Sequence, residues 1–253
     1  QTYDAHHPMP DVDFYARMRA GAMPTTAQVN PEEARRVLEQ ALETHDCVLH
    51  IAFSSGLSGS YQSARIAAME LQEQYPDKQI VVVDSLAASL GQGLLVHIAV
   101  QMRDAGQSFQ QTVDWCMENR LHVVHLFTVD DLFHLYRGGR VSKATAIVGS
   151  MLNMKPVLHV DDAGHLIPME KVRGRKASLD ALVAHMEKDA VDPASQTVFI
   201  SHGDCRADAE YVADLVREKF GTQDIRIHSI GPVIGSHSGP GTVALFYLGR
   251  TRG

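Results

Sequence analysis

The sequence has 253 residues, of which 45% are hydrophobic and 21% are charged, and its formal net charge is -7. These values are typical of a globular protein with a sizeable core and one or two domains, and they exclude a largely disordered chain. Nucleic-acid phosphates require clustered positive charge, so we do not expect a nucleic-acid partner for this acidic chain.

The cysteines and the apolar runs indicate a cytoplasmic protein. Cys47, Cys116 and Cys205 are far apart, and this spacing predicts neither a disulfide framework nor a thiolate metal site. No apolar run approaches the roughly 20 residues that cross a bilayer. The sequence starts at Gln1, and residues 1–10 do not resemble a signal peptide, so we expect the natural protein to begin further upstream.

The first half of the chain alternates helical and strand patterns. In chain order, these patterns predict a short helix around residues 14–18, a helix over 31–45, a strand over 47–53, a helix over 61–75, a strand over 80–84, and helices over 89–105 and 108–119. This alternation favours a parallel sheet with helices on both faces. We therefore predict that residues 1–119 form a three-layer α/β/α domain with a mainly parallel sheet.

Strands become more frequent after residue 121. The patterns predict strands over residues 122–129, 155–160, 166–171, 196–201, 224–229 and 243–248, and helices over 142–153, 177–189 and 204–220. Residues 161–164, with the sequence Asp-Asp-Ala-Gly, are a candidate hairpin turn and make at least one strand pair antiparallel. Residues 120–253 are predicted to form a two-layer α/β domain with a mixed six-stranded sheet.

A turn rich in serine and glycine, residues 54–60, lies between a predicted buried strand and a helix. The first amides of such a helix are unpaired and lie at the positive end of the helix dipole, so the turn is suited to an anion. Gly56 and Gly59 permit close backbone approach, and the four serines offer hydroxyl groups. Simple helix capping explains the same residues equally well. The turn matches neither the phosphate-binding loops nor the hydrolase nucleophile elbow.

A second candidate is the segment 231–241, in which four glycines and two prolines flank His237. We expect this segment to be a loop in which His237 contacts a ligand, although a tight crossover is the alternative.

A third candidate is a basic cluster, which suits an anionic ligand, partner or membrane surface, although solvated surface charge explains it too. Its members are Arg137, Arg140, Lys171, Arg173, Arg175 and Lys176. The histidine spacings do not indicate a metal site.

Four ordered segments together resemble the DegV family of fatty acid-binding proteins, the FakB-like carriers of bacterial fatty acid kinase. They are a variant of Pro-x-Thr-Ser-Gln at residues 24–28, the turn and helix start at 54–64, the segment Tyr-Arg-Gly-Gly-Arg-Val-Ser at 136–142, and the glycine-rich segment 231–241. The resemblance implies two α/β lobes with a lipid between them. A separate ATP-dependent kinase would phosphorylate the lipid carboxylate, so the carrier itself is not an enzyme and needs no cofactor.

The resemblance also implies roles for individual residues. Thr26 and Ser58 would hydrogen-bond the carboxylate, with His237 in the same network. Arg173 would support that network or the kinase contact, and Arg140 would belong to a positive face for the partner or a transient membrane contact. The turn adds three further ligand-binding candidates: Ser55, Gly59 and Ser60.

Two features depart from the family pattern. Ala27 occupies a position that is usually serine, and the opening strand with its Thr-Asp-Ser turn is absent. We therefore expect a truncated N-terminus, which would leave one wall of the site open.

The acyl chain is expected to dominate affinity. For a 16-carbon acid, ~14 methylenes contribute on the order of 11 kcal/mol, whereas each charged hydrogen bond adds ~1.5–3 kcal/mol. Tunnel-lining candidates are Ile147, Val148, Met151 and Leu152. Two other functions fit the same residues: a serine-type hydrolase that uses Ser58 and His237, and a module that binds small anions.

Overall fold

A computed structural model of the chain describes residues 7–143 and 153–252. The helices are α1 (Asp11–Arg19), α2 (Pro31–Leu42), α3 (Ser60–Gln74), α4 (Ser89–Asp104), α5 (Phe109–Asn119), α6 (Phe133–Arg137), α7 (Arg175–Asp189), α8 (Arg206–Phe220) and α9 (Pro232–Ser238). The strands are β1 (Cys47–Ala52), β2 (Gln79–Asp84), β3 (Val123–Thr128), β4 (Met154–Val160), β5 (Leu166–Arg173), β6 (Val198–His202), β7 (Ile225–Ser229) and β8 (Val243–Leu248).

The described strands form two sheets. Strands β1 and β2 are parallel, with Ala52 opposite Asp84 at their carboxyl ends. The other six strands have the order β5-β4-β3-β8-β6-β7, in which only β6 and β7 are parallel. The α/β class and the mixed six-stranded sheet are thus confirmed, and residues 161–165 connect β4 to β5 as the predicted hairpin.

The small sheet is covered by helices on both faces. Alternate residues Val48, Ile80 and Val82 pack against α2 and α3, whereas Ile51 and Val83 pack in the cluster that contains α4 and α5. Helices α2 and α5 each begin with a capping box, in which a cap side chain and the third helical residue bond each other's backbone amide. This is the three-layer arrangement expected from the alternating pattern.

The large sheet has helices α7 and α8 on one face, where Leu182, Met186 and Val216 are fully buried. Its other face joins the small sheet through helix α4, and one apolar cluster contains both Leu95 of α4 and Phe246 of β8. The core is therefore continuous across the predicted boundary near residue 119, and that boundary remains a prediction.

Two short helices differ from the sequence-based expectation. Segment 231–241 was expected to be a loop, but Pro232–Ser238 forms α9, with Pro232 in its first turn and Gly239 at φ 81° directly after it. Proline at the start and glycine past the end are the usual helix boundaries. Helix α6 has only five residues, too few for a periodic pattern.

The helix predicted over residues 142–153 lies, except for its ends, outside the described residues. The same is true of the tunnel candidates Ile147, Val148, Met151 and Leu152. Within residues 7–143 and 153–252, no helix combines the length and apolarity needed to span a bilayer.

Candidate functional site

A cavity of about 850 Å³ lies between the two sheets. It is bounded by β1, by β3 and β8 of the large sheet, and by α9 with the preceding loop. Among the described residues, its apolar lining includes Phe53, Leu57, Phe127, Leu135, Val160, Leu166, Ile230, Val233, Ile234, Ala244 and Phe246. The volume is within the range of small-molecule sites in proteins, and the lining suits an apolar ligand.

The first serine of the Ser-Gly turn is a structural residue. Ser54 is fully buried; its amide donates to Ala87 O at 2.9 Å, and its hydroxyl donates to Gly164 O at 2.9 Å. A Cβ atom at Gly56 would lie 2.7 Å from Ala163 O, so the absence of a side chain there admits the β4–β5 hairpin. Glycine at position 56 therefore allows the β4–β5 hairpin to pack against the turn.

Most amides of the turn are already bonded within the protein. The Leu57 and Ser58 amides both donate to Ser54 O at 3.1 Å, and the Ser60 amide donates to Ser58 Oγ at 3.2 Å. The amide of Ser60, the first residue of α3, is therefore paired, contrary to the expectation of unpaired amides at the start of this helix. The hydroxyl groups of Ser58 and Ser60 lie 2.9 Å apart, and both residues line the cavity.

Thr26 and His237 meet beside this turn. Thr26 Oγ1 lies 2.7 Å from His237 Nε2, and both residues line the cavity. The loop that carries Thr26 is attached to the turn, because the Val29 amide donates to Ser60 Oγ at 3.3 Å. A Cβ atom at Gly59 would lie 2.2 Å from Gln28 Oε1, so the Gln28 side chain would have to move if this glycine were replaced. Thr26, Ser58, Gly59, Ser60 and His237 thus line one cavity, and their roles in binding stay predictions.

His237 is held in its neutral form. Burial, followed by the charges of Arg140 and Arg137, lowers the pKa of its imidazole from 6.5 to about 4. Its Nδ1 atom is buried without a hydrogen-bond partner among the described residues, and a Cβ atom at Gly138 would lie 2.1 Å from it. The histidine is therefore uncharged at neutral pH, and the positive charge of the site comes from the arginines.

Two arginines connect the segments of the site. Arg140, expected on a face for a partner or membrane, also lines the cavity, where it donates to Leu57 O at 2.9 Å and to Gly138 O. Sequence reasoning gave Arg137 no individual role. It donates to Pro24 O at 2.8 Å and to Ser236 O at 3.1 Å, and so joins the Thr26 loop to α9. The Arg-Gly-Gly-Arg motif was the signal that could have indicated both.

Arg173 and Ser55 lie differently from the rest. Arg173 is the last residue of β5 and is exposed, and it is not among the described cavity-lining residues. Leu166, which does line the cavity, is seven residues away, or roughly 23 Å along an extended strand. Ser55 is exposed at the cavity edge, with its amide bonded to Asp84 Oδ1 at 3.1 Å. Among the described residues, no hydrogen bond joins Arg173 to Thr26 or His237, and its place in their network stays a prediction.

The other polar groups of the cavity wall are mostly bonded to the protein. His125 is bonded through both ring nitrogens, to Val123 O at 2.9 Å and to the Ala88 amide at 3.2 Å. Gln92 donates to Ile51 O at 2.8 Å. Among the described residues there is no group of three or more potential metal ligands. Thr26, Ser58, Ser60 and His237 form a polar patch in the cavity wall. This patch is the region best suited to a ligand headgroup.

The chain is similar to DegV domain-containing proteins, one of which has been described as binding a fatty acid. It is 49% identical to DegV domain-containing protein CPE0026 of Clostridium perfringens, over 94% of this chain and 82% of that protein. The structure of a fatty acid-binding DegV family protein from Thermus thermophilus is 30% identical, with a TM-score of 0.84 over 95% of this chain and 85% of that chain.

A third similar structure is the Streptococcus pneumoniae Fatty Acid Kinase (Fak) B3 protein loaded with linoleic acid. It is 25% identical, with a TM-score of 0.85 over 94% of this chain and 83% of that chain. The family model described as "Uncharacterised protein, DegV family" matches residues 1–250. The chain belongs to the DegV family, as the four sequence motifs predicted.

Proposed function

We propose that this protein binds a long-chain fatty acid in the cavity between its sheets, with the carboxylate at Thr26, Ser58 and His237. The observation that carries the proposal is a largely apolar cavity of about 850 Å³ whose wall also carries two hydrogen-bonded pairs, Thr26–His237 and Ser58–Ser60. The fatty acids bound by similar proteins support the same ligand class.

The polar patch has the donors that a carboxylate needs. Neutral His237 has one ring proton, and with that proton on Nε2 it donates to Thr26 Oγ1. The threonine hydroxyl hydrogen is then directed to the carboxylate, together with the hydroxyl of Ser58. Arg140 supplies positive charge nearby. Each bond to the charged group contributes ~1.5–3 kcal/mol, less than the acyl chain, so the patch sets which end of the lipid is presented.

Lipid extraction tests this proposal directly. Purified protein is denatured, extracted and analysed by mass spectrometry, and delipidated protein is titrated with a 16-carbon fatty acid. We expect stoichiometric fatty acid in the extract or saturable binding in the titration. Protein that contains no lipid and also fails to bind added fatty acid would contradict the proposal.

The protein would then present the carboxylate to a separate ATP-dependent fatty acid kinase, which forms an acyl phosphate. The similarity to the Fak B3 protein supports this step. The test combines the loaded protein, a fatty acid kinase catalytic subunit and ATP, and traps acyl phosphate with hydroxylamine. We expect product only when all three are present. Product formed equally well with free fatty acid would argue against presentation.

Loading from a membrane fits the surface beside the cavity. Phe133 and Tyr136 of α6 and Val233 of α9 are exposed, the last by 67%, and Val233 lines the cavity. We propose a transient contact of this surface with lipid bilayers. Cosedimentation with vesicles that contain fatty acid should be weakened by Val233→Ser, and unchanged cosedimentation would rule out this contact.

The hydrolase alternative has less support from the geometry. Among the described contacts, Ser58 Oγ is bonded to Ser60 Oγ, and His237 Nε2 is bonded to Thr26. In the part of the chain that the structure describes, the buried Nδ1 of His237 has no acidic partner of the kind that orients a general base. A small-anion module would not need the apolar wall.

A further inference from the structure

Arg252 is a buried cation whose hydrogen bonds all go to backbone carbonyl groups. Arg252 comes shortly after the end of β8 in the chain, and the residue is 2% exposed. Nε donates to Val123 O at 3.2 Å, Nη1 to Leu86 O and to Asp161 O at 3.3 Å, and Nη2 to Arg120 O and to Ser85 O at 3.5 Å. Burial lowers the pKa of the guanidinium from 12.5 to about 10, which leaves it charged at neutral pH. This one side chain therefore joins three segments: residues 85–86, residues 120–123 and the β4–β5 turn at Asp161.

Two of those segments hold Ser54. One is the loop after β2, where Arg252 binds Ser85 and Leu86, and where Ala87 O accepts the Ser54 amide hydrogen at 2.9 Å. The other is the β4–β5 turn, in which Arg252 binds Asp161 O and Gly164 O accepts the Ser54 hydroxyl at 2.9 Å. Both anchors of Ser54 thus depend on segments that Arg252 ties together.

The loop after β2 needs such support because part of it is strained. Leu86 has φ 49°, in the left-handed region that non-glycine residues seldom adopt. Its amide is bonded to Asp84 Oδ1 at 3.1 Å, and its carbonyl is bonded to Arg252. A strained conformation persists only where its surroundings determine it. Arg252 is one of the groups that determine this loop.

We propose that Arg252 is a positioning residue for the carboxylate patch, acting through Ser54 on the Ser-Gly turn. Ser54 O accepts the amides of Leu57 and Ser58, so the position of Ser54 sets the Ser58 hydroxyl. The position of Ser54 also sets the position of the Leu57 carbonyl oxygen, which accepts a hydrogen bond from Arg140. This inference rests on the proposed function, because it concerns the group that binds the lipid carboxylate.

The test compares a fatty acid with its methyl ester, because only the acid uses the charged headgroup. Arg252→Lys keeps the charge but cannot reproduce the planar set of donors. In calorimetric titrations of delipidated protein, we expect its affinity for palmitic acid to fall about tenfold, the size of one lost charged hydrogen bond, with little change for methyl palmitate. Equal loss for acid and ester, or no loss for either, would overturn the proposal.

A matched control separates positioning from general destabilisation. Leu182→Ala removes a fully buried side chain in the cluster beneath α7, away from the cavity. It should lower thermal stability without changing the ratio of acid affinity to ester affinity. If Arg252→Lys does not fold, Ser54→Ala replaces it, since it breaks the bond to Gly164 O and should give the same acid-selective loss. An acid-to-ester ratio equal to wild type in Ser54→Ala would overturn the proposal.

Hydrogen exchange provides a readout without ligand. We expect amides of residues 54–60 to exchange about tenfold faster in Arg252→Lys than in Leu182→Ala, because local opening of the turn becomes easier. Wild-type protein that binds neither acid nor ester would overturn the proposed function, whereas equal exchange in the two variants would overturn the role of Arg252 alone.

Discussion

The polar patch and the apolar wall of the cavity are built in different ways. The patch joins the Thr26 loop, the Ser-Gly turn, α6 and α9 through individual hydrogen bonds. The apolar wall includes Phe127 and Phe246, which also belong to the core shared by the two sheets. Changes in the patch should therefore alter headgroup recognition with little effect on folding, whereas changes in the wall should affect both chain binding and stability.

Filling the apolar wall should have the largest effect. Ala244 of β8 lines the cavity, and Ala244→Phe would occupy the space of several methylenes. We expect roughly 100-fold weaker binding of a 16-carbon acid, since three to four methylenes at ~0.8 kcal/mol each are displaced. An 8-carbon acid should be affected less. Titration calorimetry measures both, with exposed Ala22→Phe as control. Unchanged 16-carbon binding by a folded Ala244→Phe protein would place the acyl chain elsewhere.

Removing the central hydroxyl of the patch should have a smaller and more selective effect. Thr26→Val keeps the shape of the side chain but removes the atom bonded to His237 Nε2. We expect about tenfold weaker binding of the acid and unchanged binding of its methyl ester, because one charged hydrogen bond is lost. Thr25→Val, at an exposed neighbour outside the cavity lining, is the matched control. Equal losses in the two variants would exclude a direct role for Thr26.

The neutral state of His237 should appear in the pH dependence of stability. Its pKa is about 4 in the folded protein, below the ordinary 6.5, so the unfolded chain binds more protons between these values. The contribution of neutral His237 to the free energy of unfolding is fully present above pH 6.5 and is lost as the pH falls towards 4. For this half-buried side chain we expect a loss on the order of 1 kcal/mol.

Urea denaturation of delipidated protein at pH 7.5 and pH 5 measures this loss. His237→Gln should lose less stability than wild type between the two pH values, because glutamine does not titrate. His228→Gln, at an exposed position on β7, should follow wild type. A pH dependence of His237→Gln identical to wild type would show that His237 is not held neutral.

The smallest effect on lipid binding is expected at Arg173. Because this residue is exposed and roughly 23 Å along β5 from Leu166, Arg173→Gln should leave fatty acid affinity within about twofold of wild type. If Arg173 contacts the kinase, the variant should instead slow acyl phosphate formation. Lys171→Gln, two residues earlier on the same strand, is the comparison. A tenfold loss of lipid affinity would restore Arg173 to the carboxylate network.

Local patterns were sufficient for most regular elements. The strand predicted over residues 243–248 coincides with β8, because a continuous apolar run marks a strand buried on both faces. The turn at residues 54–60 and the hairpin at 161–164 were found because serine, aspartate and glycine have local backbone preferences. Helix α6 was missed, since five residues contain little more than one helical turn.

The sequence by itself determined the α/β class, the mixed sheet and, through its four motifs, the family. Those features depend on apolar periodicity and turn chemistry, which are local properties of the chain. The resemblance placed Thr26 and His237 in one network, but only the tertiary structure decided that they are in direct contact, 211 residues apart, and that Arg137 links their segments. It also decided that Gly56 and Gly59 accommodate other parts of the protein, because such contacts depend on which segments the packed sheets bring together in space.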